Sequence, residues 1–318
     1  MKKIILTILT VLVLGIQAHS QDEILKPSGT YKFAQRDTCE LFLDVYEPAA
    51  GSCTTIDGKT KPTILFIFGG GFVSGARNEK YLLEYYRKLT ENGYKVVASD
   101  YRLGMKGFKG AGINKEFIAV MENSINIAVE DLFSATCYIV EHASELGIDP
   151  DCIIAAGNSA GAITAMQGEW EISNSTQRAS VLPDGFNYAG IMSFSGAIYN
   201  RQGGPVYAQE PCPTLFFHGT ADKVVKYKQL KLGKLFFGGA KPLAKAFEKN
   251  GFNYSIYRYD GNSHEVAVSM IVTLPEQFAF IETNVLSKEK KTVDALVAEP
   301  RLDAYRWSSN DDYKGLYD

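Results

Sequence analysis

Apolar positions in this chain alternate between two spacings. PTILFIF (62–68) is a continuous apolar run, as expected of a strand buried on both faces. KVVASDY (95–101), CIIAAG (152–157), YAGIMSFSG (188–196), TLFFHG (214–219) and YSIYRYDG (254–261) read as further strands. TYKFA (30–34) and LFLDVYEP (41–48) read as two short strands in an antiparallel start. Between the later strands the spacing becomes helical. Residues 78–93 and 123–147 each end in glycine, a helix follows Ser159, and 241–251 forms another. Residues 264–286 are expected to close the fold as a helix, kinked or broken at Pro275.

Strands that alternate with helices and are themselves apolar throughout predict an α/β fold. The expected core is a mostly parallel central sheet of about eight strands, with helices on both faces. Two segments fit the alternation poorly: 171–186, polar and turn-rich, and 226–240. Both are expected to be surface excursions bordering a site. The chain divides into residues 1–20, a domain over 21–288, and a polar C-terminal tail over 289–318 packed on that domain.

The first twenty residues differ from the rest. Lys2 and Lys3 precede the apolar run IILTILTVLVLGI, which is short of the roughly 20 residues a membrane helix needs. Ala18-His19-Ser20 then supplies small residues at a cleavage site, so the segment reads as a signal peptide with Gln21 as the mature start. The expected location is periplasmic or secreted, with no membrane segment in the mature form. A net charge of −3 with interspersed signs and no basic stripe argues against a nucleic-acid partner. The cysteines number five, so at least one is unpaired. Cys39 and Cys53 flank a strand and a loop, and export would allow a disulfide between them. Cys137 and Cys152 read as inert core thiols, and no cysteine/histidine spacing suggests a zinc site. Oligomeric state is not encoded in any visible pattern.

The candidate chemistry begins at IIAAGNSAGAITA (153–165), where Gly157-Asn158-Ser159-Ala160-Gly161 joins a strand to a helix. This G-x-S-x-G context is that of a nucleophile elbow, in which a strained turn lifts the serine hydroxyl above the sheet edge. A strand–helix turn that needs glycine only for close packing would carry the same pattern. FIFGGGFVSG (66–75) adds a second feature: three successive glycines leave backbone N–H groups unshielded, as an oxyanion requires. It lacks the spacing of a phosphate loop.

A serine hydroxyl needs a base. The chain has four histidines. His19 leaves with the leader, His142 lies in the long helix as a surface or satisfied residue, and His218 ends a strand in FFHGTADKVV. His264, in YDGNSHEV, follows the last strand, as the order Ser…Asp/Glu…His demands. Asp222 lies between the two in the chain and is the expected acid. Asp260 and Glu265 are rivals, too near His264 in sequence for an easy approach to its ring. His218 is expected to buttress the acid loop, and Asp100 and Asp131 to make structural hydrogen bonds.

Together these pieces resemble the α/β-hydrolase fold family of carboxylesterases over roughly residues 30–285. FGGGFVSG resembles its oxyanion loop, YRLG (101–104) the strand end that follows, and GIDPDCIIAAGNSAGA (147–162) its elbow; HGTADKVV and GNSHE resemble its acid and base loops. The resemblance implies Ser159 as nucleophile, His264 as general base and then acid, and Asp222 as the group orienting His264. It also implies an oxyanion hole from the N–H groups of Gly70, Gly71 and Ala160. Phe68 stands where many members carry histidine, and Asn158 where branches carry glutamate or aspartate.

The expected activity is hydrolysis of carboxylic esters through an acyl-enzyme, without metal or organic cofactor. No long cap insertion is visible, which favours short acyl or aromatic esters, with carbohydrate-linked esters suggested by export. A serine peptidase or thioesterase on the same fold is the alternative within enzymes. A non-catalytic exported binding protein is the alternative outside them.

Overall fold

The computed structural model describes residues 24–299 except Thr38 and Ala111, together with Leu302. The expected leader, its cleavage site and the last part of the tail, including Trp307, lie outside these residues.

The chain opens with β1 (Gly29–Gln35) and β2 (Glu40–Tyr46), an antiparallel pair, followed by the small hairpin β3 (Thr55–Ile56) and β4 (Lys59–Thr60). Then come β5 (Thr63–Ile67), α1 (Lys80–Glu91), β6 (Val96–Ser99), α2 (Lys115–Glu141), the short α3 (Ala143–Leu146), β7 (Ile153–Asn158) and α4 (Ala160–Ser173). β8 (Gly190–Phe194), β9 (Ala197–Asn200), β10 (Thr214–Gly219), β11 (Gln229–Leu232), β12 (Leu235–Gly239), α5 (Ala240–Asn250), β13 (Tyr254–Tyr259), α6 (Leu274–Phe280) and β14 (Val293–Val297) complete the order.

The central sheet runs β1-β2-β6-β5-β7-β8-β10-β13-β14. It has nine strands where about eight were expected, all parallel from β6 to β14, with the antiparallel β1–β2 pair at one edge. The ninth strand comes from the expected polar tail. Val293–Val297 pairs in register with Ser255–Tyr259, and its burial alternates along the strand. An edge strand buried on one side lacks the apolar run that marks the inner strands, so it passes for a loop in the sequence.

The inner strands are buried at every position: TILFI, VVAS, IIAAGN, GIMSF and TLFFHG. They need cover on both sides. The chain steps one way from β5 to β6 through α1, then back across β5 to β7 through α2. Right-handed crossovers therefore put α1 and α2 on opposite faces. α1 meets α6 there, with the Tyr85 hydroxyl donating to Gln277 Oε1 at 2.7 Å and Tyr94, just beyond α1, stacked on Phe278 at 5.1 Å. On the other face lies α4, buried at almost every residue. The reversal of step direction puts the C-terminal ends of β5 and β7 side by side, which is where open α/β sheets place their ligand sites.

Three further differences from the sequence pattern matter for the site. The long helix starts at Lys115, not 123: Asn114 caps it, its side chain accepting from Phe117 N at 2.8 Å. It stops at Glu141, and His142 sits between α2 and α3, its Nδ1 2.9 Å from Tyr138 O and its ring stacked on Tyr138. Residues 226–240 contain the β11–β12 hairpin, which joins β9 in a three-stranded antiparallel sheet. Residues 264–286 are not one helix. His264–Val268 is a 3₁₀ turn, α6 begins one residue before Pro275, and Ile281–Leu286 widens into a π-turn. Proline at the first helical turn costs no hydrogen bond, so it starts a helix here rather than kinking one. None of the five cysteines forms a disulfide, Cys39 and Cys53 included. Among the described residues no helix is long and apolar enough to cross a membrane.

Candidate active site

Ser159 is the hinge between β7 and α4. Its φ is +50° and ψ −118°, a left-handed backbone that costs a non-glycine residue about 1–3 kcal/mol. The turn is held by Ser159 N–H donating to Phe194 O at 2.9 Å, which ties it to the end of β8. It is also tight: a Cβ on Gly161 would lie 2.0 Å from Ile67 O, at the end of β5. The second glycine therefore lets α4 press against the strand that carries the glycine loop. Close packing and nucleophile strain are thus one feature, and the two explanations of the motif do not compete.

The three expected triad residues come together. Ser159 Oγ is 2.8 Å from His264 Nε2, and His264 Nδ1 is 2.8 Å from Asp222 Oδ2. All three are buried. Asp222 sits in the loop after β10, and its other oxygen accepts from Val224 N at 2.9 Å and Val225 N at 3.1 Å. Burial works against its charge. The His264 charge, hydrogen bonds from His218 and His264 and the His218 charge outweigh that and hold the carboxyl well below the usual carboxylate range. An ionised carboxylate only accepts, so His264 Nδ1 carries the proton. With Nδ1 as the donor to Asp222, Nε2 is the ring nitrogen that faces the Ser159 hydroxyl, the arrangement a general base requires.

His218 buttresses the acid loop, as expected. Its Nε2–H donates to Val225 O at 2.9 Å and lies 3.4 Å from Asp222 Oδ2. The acid and base loops are joined directly, with Ala221 N–H donating to Asn262 O at 2.9 Å. The rivals for the acid role point elsewhere. Glu265 Oε1 accepts from Asn262 Nδ2 and Ser263 N, and exposed Asp260 lies 3.5 Å from Thr220 Oγ1. Asp100 takes Phe42 N and Arg77, and Asp131 takes Arg36 and Arg102. Both are structural.

The glycine loop turns back above β5. Gly70 has φ +116°, and a Cβ there would lie 2.0 Å from Ser74 O, whose residue's N–H bonds back to Gly70 O. Phe68, in place of histidine, packs against Tyr101 with the rings tilted and 4.5 Å apart, and the Tyr101 hydroxyl donates to Phe68 O at 3.0 Å. An aromatic pair thus supports the loop where a polar side chain was absent. Gly71 and Ala160 line the same pocket as Ser159, whereas Gly70 is set one residue behind it.

That pocket has a volume of about 200 Å³. Phe117, Ile118 and Met121 of α2 form one wall; Leu230, Leu235 and Phe237 of the β11–β12 hairpin form another; Ile163 and Tyr199 lie between. The hairpin borders the site, as expected of residues 226–240. Residues 171–186 do not: Glu171, Thr176, Gln177, Arg178 and Val181 line a separate cleft of about 890 Å³. That cleft is larger, but several of its charged groups are paired, as Arg178 is with Glu171 at 2.7 Å and Arg102 with Glu130 at 3.0 Å, and no triad residue lines it.

Comparison with known proteins bears on the family and the fold. The model of the carboxylesterase family matches residues 16–172, which carry the glycine loop and the elbow. Over those residues the chain is similar to the carboxylesterase family of α/β-hydrolase folds. Among its relatives, Lipase 1 of Geotrichum candidum is 30% identical over 126 residues, 39% of this chain and 21% of that one. Para-nitrobenzyl esterase of Bacillus subtilis is 29% identical over 143 residues, 45% of this chain and 26% of that one. The chain thus spans about a fifth to a quarter of the curated carboxylesterases it matches. A thermophilic esterase structure from Thermogutta terrifontis covers 83% of this chain and 95% of its own at 20% identity, with a TM-score of 0.58, a likeness of fold over most of the chain.

The sequence motifs point to the candidate triad but not to the walls. Phe117, Ile118 and Met121 escape sequence reading because Asn123-Ser124 resembles a helix start as much as Asn114 does. Asn114 followed by Glu116 in the first turn is the signal that marks the true one.

Proposed function

We propose that this protein is a serine hydrolase of carboxylic esters, with Ser159 as nucleophile, His264 as base and then acid, and Asp222 as the orienting carboxylate. One observation carries the reading: the unbroken hydrogen-bonded chain Ser159–His264–Asp222 opens on an apolar pocket beside the glycine loop. Ser159 Oγ attacks the ester carbonyl as His264 Nε2 takes its proton. The developing oxyanion is met by the N–H groups of Gly71 and Ala160, with Gly70 as the third donor, each worth roughly 3–4 kcal/mol of barrier. His264 passes the proton to the departing alcohol. Water then attacks the acyl-enzyme carbonyl as His264 Nε2 takes its proton; the bond to Ser159 Oγ breaks, His264 returns the proton to that oxygen, and the acid is freed.

The pocket suits short acyl groups. Structures of the T. terrifontis esterase hold propionate or butyrate, and ligands of that size fit a space of about 200 Å³. Export to the periplasm or medium, supported by Lys2, Lys3 and the apolar run after them, would give the enzyme access to acylated carbohydrates. The test is turnover of p-nitrophenyl acetate against a series of acyl lengths, a thioester and a peptide. Hydrolysis of the short esters that disappears in Ser159→Ala supports the reading. Turnover surviving that substitution, or confined to the peptide, overturns it.

A further inference from the structure

The pocket beside Ser159 is apolar within and basic at its edge. Lys223 and Lys226, on the loop that carries Asp222, belong to its lining. They begin an unusual run, KVVKYKQLKLGK (223–234), which contains five lysines and no acidic residue in a chain of net charge −3. Among the described residues none of these five lysines has an ion-pair partner, although other surface lysines, such as Lys32, Lys88 and Lys290, do. On the facing helix Glu122, beside Met121, is engaged by Arg201 through two hydrogen bonds, and Glu116, beside Phe117, is exposed. The rim therefore holds lysines that make no ion pair with the protein's own described residues.

We propose that Lys223 and Lys226 form an anion-binding rim, and that the ester substrate carries a carboxylate on its alcohol portion. The inference rests on the esterase reading above and specifies its substrate. The acyl group stays on Ser159 after the first step, so the enclosed apolar pocket suits it. A carboxylate buried there would lose its hydration without a partner. The alcohol has to leave by the open side before water attacks, and it leaves past the lysines. Lysine is a point charge on a flexible stem, not a rigid fork. Such a rim attracts an anion by field more than by fixed geometry, and the attraction weakens with salt.

The test compares 3-acetoxybenzoate with 3-acetoxybenzamide, an anionic and a neutral ester of nearly the same shape. Each rate is divided by its hydroxide-catalysed rate to remove differences in leaving group. The expected kcat/KM ratio favours the benzoate about fivefold to tenfold at low ionic strength and falls toward one in 1 M salt. In the Lys223→Gln/Lys226→Gln double variant the ratio should lie within about twofold of one at either salt concentration. A wild-type ratio at or below one, a ratio insensitive to salt, or a double variant that keeps the wild-type ratio overturns the proposal. p-Nitrophenyl acetate, assayed alongside, separates the two readings. If it is hydrolysed and the benzoate is not preferred, the anionic rim alone fails; if none of the three is hydrolysed, the esterase reading fails with it.

Discussion

The machinery of the site and its walls are built on different principles. Ser159, Asp222 and His264 stand at the C-terminal ends of β7, β10 and β13, each buried and each fixed by backbone hydrogen bonds or by the neighbouring triad member. The pocket walls come from the first turns of α2 and from the β11–β12 hairpin, where Gln229, Lys231 and Leu232 are exposed. The first region belongs to the parallel sheet, a fold the chain has in common with the T. terrifontis esterase. The second lies on excursions from it. Substitutions in the first should therefore abolish or cripple the reaction, and substitutions in the second should change which ester is chosen.

Ser159→Ala makes the sharpest break. Its kcat should fall by at least about 10⁴-fold with the fold retained, read by ester turnover and circular dichroism. Asp222→Asn should follow, lowering kcat by about 10³–10⁴-fold because the imidazole loses the carboxylate that fixes its tautomer. Gly161→Ala attacks the same region through packing. Its Cβ would lie 2.0 Å from backbone Ile67 O, which cannot rotate away, so chemical denaturation should show a loss of at least about 1–3 kcal/mol together with reduced turnover. Phe237→Ala tests the wall. It should raise kcat/KM for hexanoyl relative to acetyl esters by roughly tenfold while acetyl turnover changes little.

The smallest effect comes from pH. The Asp222 carboxyl lies below its unfolded value, so its charge stabilises the folded state above the ordinary carboxylate range, and that contribution is lost as pH falls through the folded value. The stability gap between wild type and Asp222→Asn should thus be full near neutrality and narrow in acid. Denaturant titrations at pH 6 and pH 3 measure it. A gap that is equal at the two values, or wider in acid, contradicts the charge assignment.

The same contrast explains what could be read in the sequence. Ser159 was legible because a strained turn pressed against β5 requires glycines around it. His264 and Asp222 were legible because the sheet fixes the order in which its loops reach the site. The fold was legible wherever a strand is buried on both faces. β14 was not, because an edge strand buried on one side carries Asp294 and alternating exposure. The hairpin was not, because its strands carry Gln229 and Lys231 on one face and Leu230 and Phe237 on the other, and their pairing with β9 is set by tertiary contact alone. The N-terminal turns of α2 were misplaced because two asparagines compete for the cap and only the fold chooses Asn114. The local chemistry of a turn thus shows in the sequence, whereas the wall of a pocket is decided by what packs across from it.

The central claim is that Ser159 is a nucleophile activated by His264. Covalent labelling tests it most directly. The protein is treated with a fluorophosphonate and the adduct is located by peptide mass spectrometry, in wild type and in His264→Ala. The account predicts one adduct, on Ser159, forming rapidly in wild type and at least about 10³-fold more slowly in the variant. An adduct on another residue, none at all, or equal labelling of the two proteins would contradict it.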